Sequence, residues 1–398
     1  MSLINIQEGA VVMNNFQFVN PTKIIFGKGE IRKLSKEISK NHKVLIIYGG
    51  GSVKQTGLLD SVKEHLKEHT IGEFSGVEPN PSYETLMKAV EIVKNEGFDF
   101  LLAVGGGSVI DGTKFIAAAA KYDLDDPWKL LTDNRSVTSA LPIGVILTLP
   151  ASGSEMNGGA VITKKSTQTK LPFFGPALFP KFSILDPVYT YSLPEKQIAN
   201  GIVDSFVHVM EQYLTYPVDA KVQDRFAEGL LATLIEEGPK ALADKENYNV
   251  RANIMWTATL AYNGLIGSGV PQDWSTHIIG HEITALFGID HAQTLAVVYP
   301  AMLEVMKDEK KDKLLQYGKR IWDIDPSLPK EKRLSLAIEK TSDFFVGMGL
   351  KRRLSELDLG SDAIDQIVKG LADHGMVKLG EKGLVTPDIA RKVLEQSL

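Results

Sequence analysis

Nearly continuous apolar runs alternate with segments of helical periodicity through the first half of this chain. The runs are Val44–Tyr48, Phe98–Val104 and Ile143–Leu149, and "IGEFSGV" is a further strand candidate. Between them, "VKQTGLLDSVKEHLKEH", Tyr83–Asn95 and "VIDGTKFIAAAAKY" carry apolar residues at helical spacing. Apolar strands that alternate with helices are typical of a parallel sheet covered on both faces. Upstream, "FQFVNPTKIIFG" predicts two short strands around a proline turn.

The pattern changes near Leu193. A helix is predicted to start after Ser192 and Pro194, and almost only helical patterns follow as far as Leu398. We therefore predict an α/β domain over residues 13–190 and an all-helical domain over residues 191–398. Met13 is a second methionine, and we expect residues 1–12 to be a leader or to precede an alternative start.

Composition narrows the class of protein. A chain of 398 residues is longer than one core usually serves, which favours two domains. Its 43% hydrophobic and 23% charged residues are ordinary for a soluble globular protein. A net charge of −5 provides no general attraction to nucleic acid or anionic membrane, and no apolar run approaches the ~20 residues that span a bilayer.

The chain has no cysteine, and its N-terminus lacks a secretory signal. Disulfides, thiolate zinc sites and cysteine nucleophiles are therefore excluded. A reducing compartment fits this composition, and we expect a cytoplasmic protein.

Two glycine turns occupy equivalent places, each between a predicted strand and a predicted helix. They are "YGGGS", with Gly49, Gly50, Gly51 and Ser52, and "VGGGS", with Gly106, Gly107 and Ser108. Glycine lets a phosphate approach the backbone, and the helix N-terminus beyond it offers unpaired N–H groups. Two such turns in one sheet predict nucleotide binding, although each alone could be a plain βα turn. A third loop, Thr148–Gly159, also follows a strand and carries hydroxyl and glycine residues that suit phosphate or ribose.

The first glycine turn indicates which dinucleotide is bound. No acidic residue follows Val44–Tyr48 until Asp60, whereas Lys54 lies just beyond the turn. A carboxylate at this place commonly binds the ribose 2′-hydroxyl of NAD and would repel a 2′-phosphate. Its absence favours NADP(H), unless Lys54 is only a solvated helix residue.

Histidine spacing predicts a metal site. Asp204 and His208 are four residues apart on a predicted helix, on the side opposite Ile202 and Phe206. His277 and His281 form a second such pair, and His291 follows beyond a Gly288 turn. Three imidazoles from among these four histidines, together with the Asp204 carboxylate, suit Fe²⁺ or Zn²⁺. The alternative is a set of hydrogen-bonded histidines without a metal. The zinc-protease motif is absent, because Ile278 stands where its glutamate would be.

From Phe16 to the C-terminus the chain resembles the iron-containing (group III) alcohol dehydrogenases, within them the branch of NADPH-dependent aldehyde reductases and butanol dehydrogenases. The segments that carry the resemblance cover most of the chain in the right order: "NPTKIIFGKGE", "YGGGSVKQTG", "AVGGGSVIDGTK", "PASGSEMNGGAVIT", "FSILDP", "GIVDSFVHVMEQYLT" and "DWSTHIIGHEITALFGIDHAQTLAVVYP".

This resemblance implies a Rossmann-like dinucleotide-binding domain followed by a helical, metal-binding domain, with the site in the cleft between them. It implies metal ligands Asp204, His208, His277 and His291, and a catalytic, non-ligand His281 near the nicotinamide. It further implies cofactor contacts from both glycine turns and from Asp111, Thr148, Ser152 and Lys170. The expected activity is hydride transfer between NADP(H) and short-chain aldehydes or primary alcohols, by a homodimer.

Two other functions remain as alternatives. A dehydroquinate synthase-like lyase would need several basic residues for a phosphorylated, carboxylated substrate, but no Arg or Lys occurs within Asp273–His291. A non-enzymatic nucleotide-binding protein with a structural metal would show the same turns and histidines.

Overall fold

A computed structural model of the protein describes residues 12–123, 125–133 and 135–398. Apart from Val12, the expected leader therefore lies outside the described residues. The described residues contain eight strands: β1 Lys23–Phe26, β2 Lys43–Tyr48, β3 Thr70–Phe74, β4 Phe100–Gly106, β5 Ile143–Leu149, β6 Gly159–Lys164, β7 Thr169–Phe174 and β8 Phe182–Leu185.

Fifteen α-helices occur in the same residues, and the first six are interleaved with the strands. These six are α1 Leu34–Glu37, α2 Ser52–Gln55, α3 Leu58–His65, α4 Tyr83–Glu96, α5 Gly107–Ala120 and α6 Lys129–Thr132. The remaining nine follow the last strand: α7 Glu195–Tyr213, α8 Lys221–Ala243, α9 Tyr248–Ala261, α10 Ser275–Phe287, α11 His291–Val305, α12 Lys307–Trp322, α13 Lys330–Gly347, α14 Ser361–Asp373 and α15 Pro387–Gln396.

Six of the strands form one parallel sheet in the order β1-β8-β5-β4-β2-β3. Residues Val44–Ile47 are completely buried, because helices cover both faces of the sheet. The predicted fold class, an α/β half followed by a helical half, is confirmed. The boundary at residue 190 itself stays a prediction. Among the described residues, no helix is long and apolar enough to cross a membrane.

The sheet has a point at which the direction of strand addition reverses. The chain passes from β2 outward to β3 and then returns to the other side of β2 to form β4. Ligands of open parallel sheets bind beyond the carboxyl ends of the strands at such a point. The two glycine turns follow β2 and β4, so the fold places them side by side there.

Two local predictions were wrong, and some strands were not predicted. Only Lys23–Phe26 of "FQFVNPTKIIFG" is a strand, because the segment before it bonds to loops of the helical half: the Asn14 N–H donates to Gly269 O. The predicted helix from Val53 to His69 is broken at Gly57, whose φ is 74°. The antiparallel hairpin β6–β7 was not predicted from the sequence.

Helix α7 joins the two halves of the molecule. Ile202 and Phe206 are completely buried in the core of the helical half. The opposite side of the helix is buried as well, because a Cβ at Gly201 would meet the carbonyl oxygen of Pro150 and the Ser205 hydroxyl donates to Ala151 O at 3.0 Å. Glycine at position 201 therefore allows α7 to lie against the loop after β5.

Candidate active site

A cleft of about 1070 Å³ lies between the sheet and the helical half. Its walls include the carboxyl ends of β2, β4 and β5, the start of α5 and parts of α7 and α10. All of the predicted site residues line this cleft except Gly51. Its volume is at the upper end of the range for ligand pockets, which suits a dinucleotide together with a small substrate.

The two glycine turns differ in their surroundings. A Cβ at Gly50 would have no atom within 4 Å, whereas a Cβ at Gly106 would lie 2.9 Å from Leu149 Cβ. A Cβ at Gly107 would overlap the Ser152 side chain. The second turn is therefore packed against the loop after β5, at the N-terminus of the 14-residue helix α5. The first turn is open to the cleft, and Gly51 has a left-handed φ of 111° at the start of α2.

A buried lysine holds the loop after β5 in place. The Lys114 ammonium, which is completely buried, donates to Ser154 Oγ at 2.9 Å, Asn157 O at 2.9 Å and Gly159 O at 2.7 Å. The carboxylate of Asp111 accepts from Ser154 Oγ at 2.6 Å and from the Val161 N–H at 2.9 Å. Both side chains come from α5, so this helix fixes the shape of the loop that carries Ser152.

Lys170 reaches the cleft from β7. Its ammonium donates to Asn80 Oδ1 at 2.9 Å, and burial lowers its pKa to about 8. Among the described residues that line the cleft, Lys170 is the only Lys or Arg.

Asp204, His277 and His291 come together at the floor of the cleft. Their potential ligand atoms all lie within 4.8 Å of one another. The Nε2 atoms of His277 and His291 are each 3.8 Å from Asp204 Oδ1. Asp204 Oδ1 and His277 Nε2 are buried and have no hydrogen-bond partner among the described residues. Buried polar atoms are normally paired, so this unpaired set fits a divalent metal ion.

His208 lies beside this cluster. Its Nδ1 is 3.5 Å from Asp204 Oδ1, and its ring stacks between those of His277 and Tyr262, with centroids 4.5 and 5.1 Å away. The Trp274 ring packs against the same rings, with its centroid 4.7 Å from that of Tyr262. The left-handed φ of Trp274, 64°, is unusual for a bulky residue and holds the indole at the start of α10.

The electrostatics of these groups suit metal binding. Burial lowers the pKa of His208 to about 4 and holds those of His281 and His291 well below the usual histidine range. Burial opposes ionisation of Asp204, but the facing imidazoles keep its pKa well below that of an ordinary aspartate. His208, His281 and His291 are therefore neutral imidazoles beside a charged carboxylate. Burial opposes ionisation of His277, but the carboxylates of Glu211 and Asp204 raise its pKa to about 9, so a metal ion would displace its proton.

His281 is buried next to the cluster without belonging to it. Its ring centroid is 4.9 Å from that of His291 and 6.4 Å from that of His277. Its Nδ1 has no hydrogen-bond partner in the described part of the chain. The side chain therefore has a free polar atom at the wall of the cleft.

Sequence reasoning missed Glu211, whose carboxylate contacts His277 Nδ1 and accepts from the Thr276 N–H at 2.8 Å. A signal was present, because Glu211 follows Asp204 by seven residues and His208 by three, on the same face of a helix. Lys114 and Tyr262 were also missed, because their partners lie far along the chain, and so was Trp274, whose ring lies 5.2 Å from that of the nearby His277.

Comparison with known proteins identifies the family. The family model for iron-containing alcohol dehydrogenase matches residues 21–187, and that for the C-terminal part of the Fe-containing alcohol dehydrogenase family matches residues 198–381. This chain belongs to the iron-containing alcohol dehydrogenase family. The resemblance inferred from the motifs is thereby confirmed.

Individual members of the family align over almost the whole chain. The NADPH-dependent aldehyde reductase YqhD of Escherichia coli is 56% identical over 385 residues, 96% of this chain and 99% of its own length. A probable NADH-dependent butanol dehydrogenase of Bacillus subtilis is 44% identical over 91% of this chain and 95% of its own. The crystal structure of E. coli YqhD superposes with a TM-score of 0.96 at 54% identity, covering 98% of this chain and 100% of that one. For butanol dehydrogenase A of Thermotoga maritima the TM-score is 0.92 at 34% identity, with 97% and 99% covered.

Proposed function

We propose that this chain is a metal-dependent, NADP(H)-linked alcohol dehydrogenase that acts as a reductase of short-chain aldehydes. One observation carries the proposal: a single cleft brings together two glycine turns at the reversal point of the sheet and the cluster of Asp204, His277 and His291. A dinucleotide and a metal ion are therefore accommodated beside one another. The similarity to E. coli YqhD supports the same activity.

The first glycine turn supports NADP(H) as the cofactor. No carboxylate is present at Gly49–Ser52, and Lys54 lies 5.2 Å from the centre of the Tyr48 ring, next to the turn. The carboxylate of Glu73, on the neighbouring strand, accepts a hydrogen bond from the Tyr48 hydroxyl at 2.8 Å and forms an ion pair with Lys63 at 2.6 Å. Relatives named for NADPH and for NADH both occur in the family, so we base the choice on these residues.

The second turn suits the pyrophosphate. Gly106, Gly107 and Ser108 stand at the N-terminus of α5, where unpaired N–H groups and the helix dipole favour an anion. Thr148, Ser152 and Lys170 line the cleft beyond them. We assign these side chains to the ribose and nicotinamide part of the cofactor.

Asp204, His208, His277 and His291 would hold the metal ion. When bound, the metal supplies a Lewis acid that stabilises negative charge on the substrate oxygen, and the nicotinamide supplies or accepts the hydride. The donor set suits either Fe²⁺ or Zn²⁺. The aromatic rings of Tyr262 and Trp274 pack against His208 and His277 on one side of this set.

Reduction of an aldehyde also requires a proton. We assign its delivery to His281, because this imidazole lines the cleft and has an unpaired ring nitrogen. His281 is neutral and close to His291, and it can relay a proton when one ring nitrogen gives up its proton while the other accepts one from water, so that no charge remains buried.

The lining of the cleft supports a small, uncharged substrate. A lyase of the dehydroquinate synthase type would need several cations for its anionic substrate, and in the described part of the chain Lys170 is the only lysine or arginine on the cleft walls. We extend the proposal to a homodimer in the cytoplasm. The dimer is supported by apolar side chains that are exposed at the start of α8, where Val222 is 65% and Phe226 49% exposed.

The decisive experiment is NADPH oxidation with a panel of aldehydes that includes butanal. It is run on the purified protein, after chelation, and after adding back Fe²⁺ or Zn²⁺ separately. We expect turnover that chelation abolishes and one metal restores. The variant His277→Ala is the control, and it should lose metal, by elemental analysis, and activity together. NADPH binding without turnover would favour the nucleotide-binding alternative.

A further inference from the structure

Glu211 is the most completely buried carboxylate near the proposed metal site. It is 1% exposed and lies on α7, the helix that also carries Asp204 and His208. Its two oxygens have different partners, both on α10: Oε1 accepts from the Thr276 N–H at 2.8 Å, and Oε2 contacts Nδ1 of His277. The Glu211 carbonyl oxygen accepts from the Asp273 N–H at 2.9 Å. Three contacts therefore attach the start of α10 to α7.

The contact with His277 determines how its ring is presented. A proton on Nδ1 is donated to Glu211 Oε2, which leaves Nε2 as the atom that faces Asp204 Oδ1, 3.8 Å away. A carboxylate behind a ligating histidine fixes the tautomer and orientation of the ring and makes the ligand more basic.

We propose that Glu211 is a positioning residue that fixes the His277 ring and thereby raises the affinity of the Asp204–His277–His291 cluster for a divalent metal ion. This inference rests on the metal site of the proposed function. It adds that one helix, α7, supplies Asp204 directly and controls His277 of α10 through Glu211.

The chemistry of Glu211 separates this role from simple packing. Burying a carboxylate is costly unless it is well paired. Glu211 accepts from two donors, the Thr276 N–H and the His277 ring, and a glutamine amide has only one oxygen with which to replace it. Glu211→Gln therefore keeps the size of the side chain but leaves one of the two donors unpaired.

The test measures metal affinity without relying on activity. Metal-free wild type, Glu211→Gln and Glu228→Gln are each titrated with Zn²⁺ and with Co²⁺ in competition with a chromophoric chelator. We expect Glu211→Gln to bind about 10–100-fold more weakly, as is typical when the partner of a ligating histidine is lost. The visible absorption of the Co²⁺-loaded variant should also change, because it reports ligand geometry.

Glu228→Gln is the matched control. Glu228 is a buried carboxylate on α8 that bonds Tyr213 and Arg320 and does not contact the histidines. Its variant should bind both metals as the wild type does. Circular dichroism of the metal-free proteins checks folding. If Glu211→Gln does not fold, Glu211→Asp, which keeps the charge but shortens the reach, should show the same direction of change.

The outcomes distinguish this inference from the proposed function. If the wild type binds no metal, or if His277→Ala retains it, the proposed metal site is wrong. If His277→Ala loses metal while a folded Glu211→Gln keeps the wild-type affinity and Co²⁺ spectrum, the metal site stands and the positioning role of Glu211 is overturned.

Discussion

At Gly50 an added side chain would enter open space, whereas at Gly107 it would overlap Ser152. The same tetrapeptide therefore imposes different constraints at its two positions. In the second turn glycine is required by close packing against the loop after β5. In the first turn Gly50 leaves room beside the place where we expect the adenosine ribose.

This difference makes Gly50→Asp a usable test of cofactor preference. The new carboxylate has space, and it would repel a 2′-phosphate and accept from a 2′-hydroxyl. We expect preference to shift towards NADH, chiefly through a KM for NADPH raised about 10-fold or more, equivalent to about 1.4 kcal/mol. Steady-state kinetics with both cofactors measure it, and Gly50→Asn controls for size. Equal use of NADH by the wild type would contradict the assignment.

His281 provides a second test at the scale of one side chain. It is buried near His291 but lies outside the three-residue cluster. We expect His281→Phe to retain metal and to lower turnover by about 10²–10⁴-fold, the usual contribution of a positioned acid or base. Metal content and the pH–rate profile are to be measured on one preparation. Loss of metal would make His281 a ligand, and a much smaller loss of turnover would assign the proton to water or the ribose.

Among the secondary-structure elements, α5 does more than present its N-terminus to a phosphate. Lys114 and Asp111, both on this helix, bond the loop after β5 and the start of β6. Glu155, in the same loop, is buried, and its carboxylate accepts from the Thr259 hydroxyl of α9 at 2.6 Å. The cleft wall is thus a network in which the buried Lys114 ammonium bonds the oxygens of the loop and is attracted to the carboxylates of Asp111 and Glu155.

Removing this cation should destabilise the loop. Lys114→Met keeps most of the volume but leaves the carbonyl oxygens of Asn157 and Gly159 without their donor in a buried site. We expect the free energy of unfolding to fall by about 1–3 kcal/mol for each buried oxygen that is left unpaired. Affinity for NADPH should fall as well. Urea unfolding and fluorescence titration measure the two effects. Lys88→Met, an exposed change on α4, is the control, and an unchanged Lys114→Met protein would contradict the network.

For the whole molecule, the described part of the N-terminal segment lies against α8. Gln223 donates to Met13 Sδ at 3.2 Å, while Val222 and Phe226, one helical turn apart, are exposed beside it. Phe16 is also 50% exposed. Exposed apolar side chains gathered in this way are typical of an interface.

We therefore expect a dimer that forms through this surface. Replacing both Val222 and Phe226 with glutamate should shift the protein to the monomer, because the apolar contact is lost and like charges face each other. Sedimentation velocity across a range of concentrations measures the shift. Val377→Glu, at another exposed apolar position, is the control. A wild-type monomer, or a charged variant that remains dimeric, would show the surface to be wrong.

Local patterns along the chain were enough to predict strands β2 to β5, the helical half and the residue types available for chemistry. Val44–Tyr48 and Ile143–Leu149 are apolar on both faces, and that property requires burial between helices whatever the rest of the chain does. The helical spacing of Asp204 and His208, and of His277 and His281, likewise follows from local geometry.

Which groups meet across long separations depends on the packing of distant segments, and local patterns did not predict it. Phe16–Val19 has the composition of a strand, but it lies at the helical half, where Asn14 bonds Gly269, and not in the sheet. Glu211 shares a helix face with Asp204, yet its contact with His277 depends on how α7 and α10 pack. In the sequence Lys114 is simply one polar residue of a predicted helix. Its oxygen partners, Asn157 O and Gly159 O, come from the loop after β5 and meet it only in the folded protein. Periodicity specifies which face of an element is buried, but the partner of that face is set by packing between distant segments.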